Sequence, residues 1–81
     1  KGKEAEVLEA MALPSSEMVE APLKDIKLPK EALVLCLARG DQVLIPSGDT
    51  QIQPHDRVII LSTRKHLSRM EHLLMSKRRL L

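Results

Sequence analysis

The sequence predicts an α+β domain: a small, antiparallel-rich β-sheet with a short N-terminal helix and a C-terminal amphipathic helix. Three observations carry this. The runs ALVLCLA at 32–38 and RVIIL at 57–61 are short, aliphatic or β-branched, and bounded by turn residues, which marks strands rather than core helices. Between them, Arg39-Gly40-Asp41 and Pro46-Ser47-Gly48-Asp49-Thr50 supply tight corners. After them Leu67, Met70 and Leu74, with Leu73 alongside, recur at helical spacing.

Size sets the frame for these elements. A chain of 81 residues has room for one domain and buries only roughly 60–65% of its unfolded surface. It contains no Phe, Trp or Tyr, so its core rests on aliphatic side chains and Met, which bury less area than aromatic ones. Assembly with a partner, or with a larger parent protein, is therefore expected. Residues 1–81 read as one domain, a fragment of a longer protein, since Lys1-Gly2-Lys3-Glu4 has neither an initiator Met nor an apolar signal segment. No apolar stretch approaches the roughly 20 residues that span a bilayer, so direct membrane insertion of this segment is not expected. One cysteine, Cys36, excludes an intrachain disulfide and fits a reducing cytoplasm.

Taken in order, residues 5–13, AEVLEAMAL, favour helix by intrinsic propensity and show no clean alternation. Pro14-Ser15-Ser16 breaks the chain. A short helix fits within Met18–Leu28, with Pro22 near its first turn and Leu23 and Ile26 on one side; Pro29 ends it. Leu33–Ala38 reads as an inner strand, in which Cys36 behaves as a buried small hydrophobe. Gly40 supplies the positive φ of a hairpin corner. Val43 and Ile45 alternate with Gln42 and Leu44 in a second strand that Pro46 ends. Ile52 is an isolated apolar anchor between two polar corners, the second being Gln53-Pro54-His55-Asp56. Arg57–Leu61 is a third, central strand. Ser62 or Thr63 caps the last helix, which runs to about residue 76.

The polar residues exclude more chemistry than they suggest. A net charge of +2 is too small to imply nucleic acid, and without aromatic residues there is no stacking platform. Lys77-Arg78-Arg79, following Lys65 and Arg69, reads as a solvated helix end that complements the dipole. His55, His66 and His72 match no metal-ligand spacing, and no metal is expected. Ser47, His55 and Asp56 form a triad only on paper, because so short a chain leaves little to orient a nucleophile and build an oxyanion hole. The glycines form neither GxGxxG nor GxxxxGK. Asp41, Asp49 and Asp56 read as turn carboxylates. Arg39 remains as the anion-contacting candidate, against a plain reading as a rim residue.

The stretch LARGDQVLIPSGDTQIQPHDRVIIL, residues 37–61, resembles the TrkA-C domain, also called the RCK C-terminal domain. Arg39-Gly40, Ile45-Pro46, Gly48-Asp49-Thr50, Ile52 and Asp56-Arg57-Val58 follow the family order: strand ending in Arg, Gly hairpin, strand ending Ile-Pro, Asp-Thr turn, apolar residue, Asp before a Val/Ile strand. The likeness is strong over 33–61 and weaker over 5–32. Ala21-Pro22 departs from the Gly usual before the first helix.

The resemblance implies a first strand over roughly 5–12, against the helical propensity there. It implies a non-catalytic, cytoplasmic regulatory domain of a cation transport system, potassium foremost, found on channels and uptake proteins. It also implies a homodimer, and in some members a small anionic ligand such as a cyclic dinucleotide. By position the ligand contacts would be Arg39, Ile45 and Pro46. Members that take the dinucleotide carry an Asn-His stretch after Ile, where this chain has Ser47-Gly48 after Pro46. The alternative is a ligand-free dimerisation module, and the setting of Arg39 separates the two: an open groove favours sensing, a local carboxylate partner favours scaffolding.

Overall fold

The computed structural model describes residues 4–75. Strands β1 (Ala5–Met11), β2 (Ala32–Arg39), β3 (Gln42–Leu44) and β4 (Arg57–Thr63) form one antiparallel sheet in the order β1-β4-β2-β3. Helix α1 (Arg64–Met75) follows β4 directly. The first and last strands are thus neighbours, and β4 lies inside the sheet as its β-branched sequence predicts.

The helix that propensity assigns to 5–13 is a strand. Pairing with β4 along its whole length, from Ala5 opposite Thr63 to Met11 opposite Arg57, supplies backbone hydrogen bonds that a preference of a few tenths of a kcal/mol per residue does not outweigh. Within Met18–Leu28 the helical segment is two 3-10 turns, Glu17–Val19 and Leu23–Asp25. Pro22, lacking an N–H, sits between them. The Ser16 side chain accepts from Met18 N at the first turn.

Helix α1 and the connection between β1 and β2 cover one face of the sheet. Ala10, Val34, Leu37, Val58 and Ile60 point to this side and meet Met18, Ile52, Met70, Leu73 and Leu74. Ile52, isolated in the sequence, is fully buried. Ser62 and Thr63 belong to the end of β4 rather than to a helix cap: the Ser62 hydroxyl donates to the Thr63 carbonyl. In β3 the partly buried residue is Leu44, while Val43 faces away.

The opposite face carries no element among the described residues. Register places Val7, Leu61 and Leu33 side by side across three strands, and Glu9, Ile59 and Cys36 in the next row. Met11, Arg57, Ala38 and Val43 make a third row across all four strands. Val7, Met11, Leu33 and Val43 are exposed, and Glu9 pairs with Arg57 at 3.7 Å. Cys36 is half-buried on this face instead of lying in the core.

Candidate functional site

Arg39 is the last residue of β2, and the hairpin after it turns on Gly40 at φ +58°. Asp56 immediately precedes β4 and is 1% exposed. The two meet squarely: Arg39 Nε donates to Asp56 Oδ1 and Nη2 to Oδ2, both at 2.9 Å. Nη2 also donates to the Gln51 carbonyl at 3.2 Å, and Gln53 N–H donates to Asp56 Oδ2 at 2.8 Å. One carboxylate thereby closes its own turn and receives the planar fork of a guanidinium, the geometry that favours Arg over Lys.

These contacts set the electrostatics. Burial pushes the Asp56 carboxyl up, but the Arg39 hydrogen bonds and the Gln53 N–H overcome it and hold the group below the ordinary carboxylate range. The hydrogen bonds to Asp56 hold the Arg39 guanidinium above its ordinary value, burial opposing them. The pair is a charged, hydrogen-bonded corner rather than a proton donor or acceptor.

The other expected contacts lie farther along the chain. Ile45 follows β3 and is 80% exposed. Pro46 lines a cavity of about 280 Å³ with Leu23, Leu28, Leu33 and Val34, whereas Arg39 does not line it. Ser47 and Thr50 shape the adjoining turn: Thr50 Oγ1 accepts from Ser47 N, and Ser47 Oγ from Asp49 N. Among the described residues no hydrogen bond joins the side chains of Ser47, His55 and Asp56, and no group of three His, Cys, Asp or Glu forms a metal site. Lys77-Arg78-Arg79 lies outside the described residues.

Sequence reasoning alone did not find Lys24, which reaches the rim of this cavity and pairs with Asp49 at 2.9 Å. For Arg39, the local carboxylate partner that marks the scaffolding alternative is Asp56. The closure of Gln53–Asp56 onto the end of β2 brings them together.

The family model of the TrkA-C domain matches residues 7–75, the span from β1 to the end of α1. The chain belongs to the TrkA-C domain family. Its fold and motif order agree: Arg39 at the end of β2, the Gly40 hairpin, Ile45-Pro46 after β3 and Asp56 ahead of β4 are the positions on which the resemblance rests. Two relatives of this TrkA-C domain are each 38% identical. One is the Trk system potassium uptake protein TrkA homolog 1 of Methanosarcina mazei, over 71 residues, 88% of this chain and 16% of the relative. The other is the TrkA of Azorhizobium caulinodans, over 68 residues, 84% of the chain and 15% of the relative. The chain thus spans less than a fifth of the relatives' length.

Solved structures share the fold. An RCK domain with "cda" superimposes at a TM-score of 0.70 and 19% identity, covering 84% of this chain and 96% of the other. The RCK C domain of the potassium transport protein KtrA, in complex with cyclic diadenosine monophosphate, also gives 0.70, at 20% identity, covering 84% and 81%.

Proposed function

We propose that this TrkA-C domain is a non-catalytic, cytoplasmic regulatory module of a potassium transport system. It pairs with a second copy through the open sheet face and passes the state of that pair to an attached transporter or channel subunit. The open face carries this reading. Three rows of largely apolar side chains cross it, with Val7 59% and Leu33 54% exposed, and a contiguous exposed apolar patch marks an interaction surface. A second copy is the natural partner, since an isologous contact buries the same patch twice. The Glu9–Arg57 ion pair crosses the patch, so charge as well as shape selects the partner.

Sensing enters through a small anionic ligand. The KtrA and RCK domains of the same fold, solved with cyclic diadenosine monophosphate and with "cda", support a small anionic ligand, and Ile45 and Pro46 are its proposed contacts by family position. A ligand that prefers one geometry of the pair shifts the attached transporter by that difference in affinity. The setting of Arg39 favours the second reading at that one position: bound to Asp56 and Gln51, its guanidinium holds a corner, as in a module used only for dimerisation.

The test is sedimentation of the chain and of Val7→Glu and Leu33→Glu. Both side chains are more than half exposed and lie outside the buried core, and circular dichroism of each variant checks that it folds. A dimer in the parent and a monomer in both variants supports the reading. A parent that stays monomeric at high concentration, or variants that remain dimers, refutes the face as the pairing surface.

A further inference from the structure

The segment Leu23–Lys24 is strapped to the turn that comes after Pro46. Leu23 N–H donates to the Thr50 carbonyl at 2.8 Å and Lys24 N–H to the Gly48 carbonyl at 2.9 Å. Gly48 lies so close beneath that a Cβ there would meet Lys24 Cβ at 3.3 Å. The base of Lys24 is fixed from two directions, and the residue sits at the rim of the 280 Å³ cavity, whose remaining walls are mainly aliphatic. Its ammonium pairs with Asp49, yet the two side chains are 58% and 84% exposed. Solvent weakens a pair so placed, and a better counter-ion displaces Asp49 readily.

The cavity is therefore apolar within and cationic at one edge. Ser47, also at the rim, accepts Asp49 N–H on its hydroxyl oxygen and lies 3.5 Å from Thr50 Oγ1, a long contact that a ligand oxygen can replace as the acceptor of its proton. Arg39 offers no competing charge, because Asp56 and Gln51 hold its Nε and Nη2. The volume, about 280 Å³, falls just below the roughly 300–1,000 Å³ of drug-sized ligand pockets. A single ring or a short chain fits this volume.

We propose that this cleft binds a compact apolar carboxylate, its body against Leu28, Leu33 and Pro46 and its carboxylate on Lys24 in place of Asp49. Lys24 is the residue that selects charge, and Asp49 acts as a built-in competitor. The proposal rests on the sensing half of the proposed function and names its ligand class and contact.

Hexanoate is a suitable probe, with hexanol and hexyltrimethylammonium as neutral and cationic controls, titrated into the full chain by amide chemical-shift mapping. Hexanoate is expected to perturb residues 23–28, 33–34 and 46–49 and to bind about threefold tighter than hexanol. Asp49→Asn should tighten hexanoate by about threefold or more, and Lys24→Met should reduce it to the level of hexanol while leaving hexanol unchanged. Equal binding of all three probes, shifts mapping elsewhere, no shifts in the millimolar range, or an Asp49→Asn variant that binds hexanoate no better overturns the proposal. Sedimentation of the same samples separates the two readings: a dimer that ignores hexanoate sinks the cleft alone, and a monomer that binds it sinks the pairing alone.

Discussion

Arg39 and Asp56, 17 residues apart, join the end of β2 to the start of β4 through two hydrogen bonds of 2.9 Å. The carboxylate is buried and the guanidinium about a third exposed, so the pair locks the sheet at the end where the hairpin and the second polar corner meet.

Replacing Arg39 with Met should cost about 2–3 kcal/mol near neutral pH, the lower end for a buried pair because one partner reaches solvent. The pH dependence carries the sign. In the parent, Asp56 is held below its ordinary value, so its contribution is complete above about pH 4 and drains as pH falls through the folded value. In the variant burial acts on the carboxyl without Arg39, and protonation relieves it. The stability gap between the two, read from urea melts, should narrow on acidification; a gap that widens contradicts the assignment.

Ser16 should matter more than an ordinary serine. Its hydroxyl donates to the Leu73 carbonyl at 2.7 Å and accepts from Met18 N at 2.9 Å, tying the last turn of α1 to the first 3-10 turn. Ser16→Ala leaves both groups short of a partner and should cost about 1–3 kcal/mol, with hydrogen exchange rising first around residues 16–18 and 73–74.

His55 holds φ +74° while its N–H donates to the Ala12 carbonyl at 2.7 Å. A β-branched residue there should cost about 1–2 kcal/mol. His55→Gly should be neutral or slightly stabilising, since relief of strain offsets the added freedom of the unfolded chain. Thermal melts of His55→Val and His55→Gly should therefore fall on opposite sides of the parent, or the Gly variant level with it.

Ile52 is fully buried between two polar corners. Ile52→Ala should cost about 2–5 kcal/mol and Ile52→Val about 0.5–1.5 kcal/mol, measured as shifts in the urea midpoint at constant slope. Equal, small shifts would mean the site collapses around the loss.

The elements whose signals are local were legible. RVIIL gave β4, the Arg39-Gly40-Asp41 corner gave the hairpin, and Met70, Leu73 and Leu74 gave the buried stripe of α1. Strand β1 was not legible from its own residues, because its pairing with β4 involves residues more than 45 positions away, and only the family likeness supplied it. The run LVLCL showed no period for a physical reason. The register shift between Val34 and Cys36 inserts Leu35, so the alternation Leu33 out, Val34 in, Cys36 out, Leu37 in is broken by one residue. The candidate site was legible as a neighbourhood. Left open was which partner Arg39 takes, and missing altogether was Lys24–Asp49, because both pairs join segments that a linear reading treats separately.

The pairing of β1 with β4 also fixes how the domain bears load. Ala5 sits opposite Thr63, and Arg64 N–H donates to the Glu4 carbonyl at 2.8 Å, so the start of β1 and the start of α1 lie together at one end of the sheet. Tension applied between the chain ahead of Ala5 and the helix opens the β1–β4 ladder one rung at a time, from Ala5–Thr63 toward Met11–Arg57, instead of shearing every rung at once. The strand that gives way first is the one that contributes Val7 and Met11 to the open face. A pull on the chain ahead of Ala5 therefore reaches that face before it reaches β2, β3 and their corner.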